Sequence, residues 1–149
     1  MQSNQPSAAI SIRVKTQMDK CERELDAKLV EFGPDHPEVA QTLGTLGLLN
    51  QHMTKDFNRA VSYHKEALRI LRKGVDEKNP AVKQESLKES LAVTLTDLAF
   101  IHEQTAEFGL ALEEYREARQ VLKSINRNKS DPRYMASELG VDRVSRSMK

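Results

Sequence analysis

Apolar side chains recur every three or four residues through most of this 149-residue chain. Ile10, Val14, Met18, Cys21, Leu25, Leu29 and Phe32 follow one another in steps of 4, 4, 3, 4, 4 and 3. Steps averaging close to the helical repeat place one apolar stripe on a helix over residues 7–32. Gly33 and Pro34 end it, as glycine past a helix end followed by proline commonly does. Pro37 suits the opening of the next helix, because its missing N–H would have no partner in a first turn. Asp35 or His36 stands where a cap belongs, and Glu38 adds a favourable charge to the first turn. Val39, Leu43, Leu46, Leu49 and Met53 carry this second stripe to a break at Thr54-Lys55-Asp56. Phe57, Ala60, Val61, His64, Ala67, Leu68 and Leu71 form a third, ending near Gly74. Asn79-Pro80 again offers a cap and a proline start. Leu87, Leu91, Leu95, Leu98 and His102 mark a fourth helix, which ends at Thr105-Ala106-Glu107. Phe108, Ala111, Leu112, Tyr115, Ala118, Leu122 and Ile125 mark the fifth. β-branched residues nowhere alternate over a useful length, so no strand is expected. The pattern predicts an all-α chain of antiparallel helix hairpins.

The third and fifth stripes repeat one another. Phe57, Ala60 and Ala67 align with Phe108, Ala111 and Ala118 at an offset of 51 (108 − 57). Leu43, Leu46 and Gly47 align with Leu95, Leu98 and Ala99 at an offset of 52 (95 − 43), the turn being one residue longer in the first unit. Each unit is a helix pair, with leucines and a small residue on the first helix and an aromatic and two alanines on the second.

These residues resemble a tetratricopeptide repeat. "LTDLAFIHEQTAEFGLALEEYREA", residues 95–118, carries the small residue Ala99 after leucine on helix A. It also has an aromatic, Phe108, at the start of helix B, followed by Ala111, Tyr115 and Ala118. "GPDHPEVAQTLGTLGLL" followed by "FNRAVSYHKEALRIL" is similar to the longer repeat variant of kinesin light chains, whose units are joined by a Gly-x-x-His-Pro-x-Val-Ala phrase. A unit there is about forty-two residues, against about 34 in the plain repeat. The second unit here is longer by about nine residues, "KQESLKESL", which would add about two and a half turns to helix A. With no Gly or Pro in the insert, residues 81–104 are expected to form one helix of about 36 Å. The resemblance, over residues 25–125, implies a short right-handed α-solenoid. A disordered N-terminus (1–6) precedes a half unit (7–33), unit one (35–75) and unit two (79–125 with an extended first helix). Residues 126–149 read as a flexible basic tail, with room for a short capping helix carrying Tyr134, Met135 and Leu139. Two and a half units leave an apolar edge that the tail or a homodimer can cover, since stacked repeats need capped ends.

Charge and composition narrow the function. Lys plus Arg is 23 and Asp plus Glu is 22, so there is no electrostatic footprint for nucleic acid. No apolar run reaches the roughly 18–20 residues that cross a bilayer, which argues against a membrane. The N-terminus lacks a secretory pattern, and a single cysteine, Cys21, excludes an internal disulfide. A cytoplasmic location is expected. Cys21 lies on an apolar stripe and reads as a small core residue. His36, His52, His64 and His102 show neither an i, i+4 pair nor a zinc spacing. Glu113-Glu114 and Glu85/Glu89 read as solvated helix faces with Lys or Arg in reach. No phosphate loop or nucleophile elbow is present, so neither an enzyme nor a metal or cofactor site is expected.

In a stacked array of helix pairs the A helices line a concave surface. The resemblance places Gln41, Gly44, Thr45, Leu48, Gln51 and His52 on that surface in the first unit. It places Thr96, Asp97, Phe100, Glu103 and Gln104 there in the second. Family members that clamp a chaperone's carboxylate tail use an asparagine directly after the small helix-A residue. Here that position holds Leu48 and Phe100, so the clamp is not expected. The paired asparagines of kinesin light chains are replaced by Gly44-Thr45 and Thr96-Asp97. What remains is a groove with two apolar anchors and a polar rim, suited to an extended peptide or a helix of a protein partner. The chain thus reads as a non-enzymatic adaptor or scaffold. The alternative is a self-assembling structural protein with no separate ligand.

Overall fold

The computed structural model describes residues 8–80 and 82–149, with side chains from Ser11 onward. The expected disordered N-terminus and the Ile10 side chain lie outside that range. Among the described residues six α-helices follow in order: α1 (Ala8–Phe32), α2 (Pro37–Leu49), α3 (Phe57–Glu77), α4 (Gln84–Gln104), α5 (Phe108–Ser124) and α6 (Pro132–Ser147). There is no strand among the described residues. Each helix packs chiefly on its neighbours in sequence, α2 on α1 and α3, α4 on α3 and α5, and α6 on α5. The result is an all-α solenoid of antiparallel hairpins.

The joint at Gly33–Pro37 forms as its residues dictate. Gly33 takes φ +85°, a left-handed conformation that glycine adopts without strain, and its N–H donates to the Leu29 carbonyl at 3.0 Å. Pro37 opens α2, and His36 is the cap: its Nδ1 accepts from the Glu38 N–H at 3.1 Å. The His36 ring stacks on Phe32, with centroids 4.4 Å apart. Asp35, the other candidate cap, instead accepts from Arg69 at 2.9 Å and from Lys73, both on α3. These two cations hold its carboxyl below the usual carboxylate range.

Three elements differ from expectation. α2 does not run straight to its break; its last turn, Asn50–Thr54, is π-helical and ends at Lys55 with φ 57°. The second proline does not start a helix. The Val82 N–H bonds back to the Asn79 carbonyl at 3.1 Å, closing a turn over Pro80, and α4 begins only at Gln84. The inserted residues do extend that helix, to 21 residues. Residues 132–147, expected as a flexible tail with room for a short capping helix, form the 16-residue helix α6. Asp131 caps it by accepting from the Arg133 N–H at 2.9 Å, and Pro132 occupies its first turn. Tyr134, Ser137, Val141 and Val144, in steps of 3, 4 and 3, are its buried side. Of the three residues the sequence singled out for this contact, Tyr134 is buried, Met135 is partly buried and Leu139 is 53% exposed.

The core runs along the stack. Val39, Leu43, Leu68, Leu71, Leu87, Leu91, Leu95, Leu98 and Leu122 form its centre. Met18, Cys21, Leu46 and Leu49 pack α1 on α2. Tyr115, Ala99, Ala111, Val141 and Val144 pack α6 onto the second hairpin. Cys21 is buried and reduced there, its thiol pushed up by desolvation. α1 is less well covered than its stripe suggests: Leu29 and Phe32 are partly open to solvent.

Candidate functional site

α2 and α4 are the first helices of successive hairpins, and the space between them is a groove of about 450 Å³. α2 contributes Gln41, Gly44, Thr45 and Leu48; α4 contributes Ser86, Ser90, Val93 and Asp97. Leu71 of α3 and Leu87 close the floor, and Arg133 reaches in from α6. Two facing helices present a leucine and a valine with comparable exposure, Leu48 38% and Val93 40%, so the rim offers apolar contact from both sides. Gly44 leaves the α2 wall bare. A Cβ built there would meet nothing within 4 Å.

Five of the eleven expected groove residues line this space: Gln41, Gly44, Thr45, Leu48 and Asp97. The other six lie elsewhere. Gln51 is buried and His52 exposed, both within the π-helical turn. A π turn holds more residues per turn than an α turn, so positions extrapolated at the α repeat fall off the groove face there. Thr96 is half-buried and its Oγ1 donates to the Ala92 carbonyl at 2.8 Å. Phe100 is 39% exposed one turn beyond the groove's end, and Gln104 is exposed at the close of α4. Glu103 is occupied by α6: it accepts from the Tyr115 hydroxyl at 2.9 Å and pairs with Arg143 at 2.8 Å. That pairing holds its carboxyl below the usual range.

Sequence reasoning missed Val93, Ser86 and Ser90. The signal was present, since 86, 90, 93 and 97 are spaced 4, 3 and 4 on one helix. Ser86 and Ser90 lie in the insert, which the family pattern does not cover, and Val93 lies between the insert and the positions that pattern counts from Ala99. Arg133 carried no such signal, because only the docking of α6 brings it there.

α6 packs on α5 as α4 packs on α3. Arg133 pairs with Glu89 at 2.9 Å near the start of α4, and Arg143 pairs with Glu103 near its end, so α6 runs parallel to α4. It therefore occupies the place of the first helix of a third unit. The close approach depends on Gly140, where an added Cβ would lie 2.5 Å from the Tyr115 ring.

The tetratricopeptide repeat family model matches residues 19–73, from within α1 to within α3. Over those residues the chain carries a tetratricopeptide repeat. The matched span holds the second half of α1 and nearly all of the first hairpin; α4 and α5 follow outside it as the next pair of packed helices. No curated protein matches the chain. Tetratricopeptide repeats are in general protein-interaction modules and not enzymes.

Other polar features of this repeat protein are internal. His64 on α3 is 0% exposed, and both ring nitrogens are without a partner. Burial, with a smaller contribution from His52, lowers its pKa to about 4. Glu114, expected on a solvated face, is largely buried and lies 2.7 Å from the His102 ring; burial raises its carboxyl. The described residues include no cluster of three or more His, Cys, Asp or Glu able to hold a metal ion, and no helix long and apolar enough to cross a membrane.

Proposed function

We propose that this repeat protein is a non-enzymatic adaptor that takes a peptide or helix of a protein partner into the α2–α4 groove. The groove itself carries the reading. It is open to solvent, walled by Leu48 and Val93, and bare at Gly44, while the other large apolar side chains of α2 and α4, Phe100 apart, are committed to the core. Each anchor that a partner covers contributes about 1.5–3 kcal/mol when fully buried. A random-peptide display selection against the whole chain tests it. Enriched peptides should bind saturably, and Leu48→Glu should weaken them with helical content intact. An unchanged affinity in Leu48→Glu, or no enrichment at all, would sink the groove.

Self-assembly through the α1 edge is the second reading. It draws on Ile12 and Val30, both largely exposed, and on the apolar side chains of Val14, Met18 and Met53 around a hollow beside α1. Light scattering coupled to size exclusion separates the two, since a monomer at all concentrations rules out assembly.

A further inference from the structure

Four charged side chains line the groove: Glu38 of α2, Glu89 and Asp97 of α4, and Arg133 of α6. Three already have partners. Glu38 pairs with Lys28 at 3.4 Å. Glu89 pairs with Arg127 at 2.6 Å and with Arg133 at 2.9 Å. Arg133 also holds Asp131 at 2.7 Å. Asp97 has no hydrogen bond and no ion pair among the described residues. α3 contributes only Leu71 to the groove, so no cation reaches Asp97 from below.

An unpaired carboxylate facing a groove with apolar walls is unfavourable as it stands and is relieved by a cation. The neighbours suit one with a long apolar stem. Leu48 and Val93 can cover the methylenes of a lysine or arginine while its head meets Asp97. Gly44, with no side chain, leaves room for the partner's backbone beside them.

We infer that the partner segment recognised by this groove is basic, placing one Lys or Arg on Asp97 between apolar residues that cover Leu48 and Val93. This rests on the groove reading and sharpens it to a class of partner. Burial raises the Asp97 carboxyl to about 6. A cation binds the ionised form, so binding releases a proton near that pH. Glu89 is held ionised by Arg133 and Arg127, and Arg133 stays charged throughout. Affinity should therefore fall about tenfold from pH 7.5 to pH 5, the ratio of ionised Asp97 at the two pH values.

The experiment uses the peptides enriched by display on the whole chain at pH 7.5, choosing sequences without His, Asp or Glu so that the peptide does not titrate. Their dissociation constants are measured on wild type and Asp97→Asn at pH 7.5 and pH 5, with circular dichroism as the folding control. We expect enriched peptides to share a Lys or Arg. We expect at least tenfold weaker binding to Asp97→Asn, and a pH dependence that this variant lacks. Peptides that need Leu48 but bind Asp97→Asn as tightly as wild type overturn the basic-partner inference and leave the groove standing. Absence of any enriched peptide overturns both.

Discussion

A Cβ on Gly47 would sit 2.6 Å from the His64 ring, while one on Gly44 would meet nothing within 4 Å. The two glycines share a helix and differ only in what faces them. Alanine at Gly44 should recover helix propensity, about 1 kcal/mol. Alanine at Gly47 should lose more than it recovers, because the buried ring has nowhere to move and overpacking costs about 1–3 kcal/mol. Urea denaturation should show the midpoint rising for Gly44→Ala and falling for Gly47→Ala. His64 has a second consequence. Its pKa falls from 6.5 to about 4 on folding, so the folded state binds fewer protons. Its contribution is full above pH 6.5 and is lost as pH drops toward 4, by up to about 3 kcal/mol. Asp97 has the opposite sign. Its folded pKa of about 6 lies above the ordinary value of 3.8, so its penalty builds as pH rises from 3.8 to about 6 and is complete above that. Between pH 4 and 6.5 the two offset each other. His64→Phe should therefore gain stability relative to wild type as pH falls, and Asp97→Asn should gain it as pH rises. Parallel stability curves for all three proteins would contradict this. Cys21 was legible as a core residue from its place on a stripe, and Gly47 as a packing glycine from its place in the repeat. The identity of its neighbour was not, because His64 comes from another helix.

Among the helices, the five with a leucine or alanine stripe were all readable from period. α6 was not read as a full helix, for two reasons visible in its residues. Ser137 interrupts the apolar spacing of Tyr134, Val141 and Val144, and Gly140 looks like a weak point. In place, Ser137 is buried with its hydroxyl donating to the Tyr134 carbonyl at 2.7 Å, and Gly140 is the contact with Tyr115. A valine at Gly140 should push α6 off the second hairpin. We expect Gly140→Val to lose about 1–3 kcal/mol, with amide exchange rising first in residues 132–147. Exchange rising uniformly along the chain would argue against that local detachment. The groove was half legible for a related reason. Residues 41–48 follow an undisturbed α repeat, whereas the π turn at 50–54 displaces the two expected positions within it, and nothing in "NQHMT" announces a π turn.

At the scale of the stack, each helix depends on its neighbours in sequence, so stability should be graded along the chain. α1 has one principal neighbour, α2, and leaves Ile12, Val30 and Phe32 exposed. Amide exchange should be fastest in α1 and slowest in α3 and α4, the two helices at the middle of the stack. Equal protection in α1 and α4 would show an additional contact on α1. The sequence carried the helix periods, the joint at Gly33–Pro37, the repeat and the all-α fold, because each follows from local propensity and a spacing of three to four residues. Tertiary packing decided the rest. It turned an uneven basic segment into a helix in the place of a third unit and spent Glu103 on that helix. Among the described residues it also left Asp97 the one groove charge without a counter-ion. Burial and charge pairing depend on which residues meet across helices far apart in sequence, and the order of residues along one helix does not contain that information.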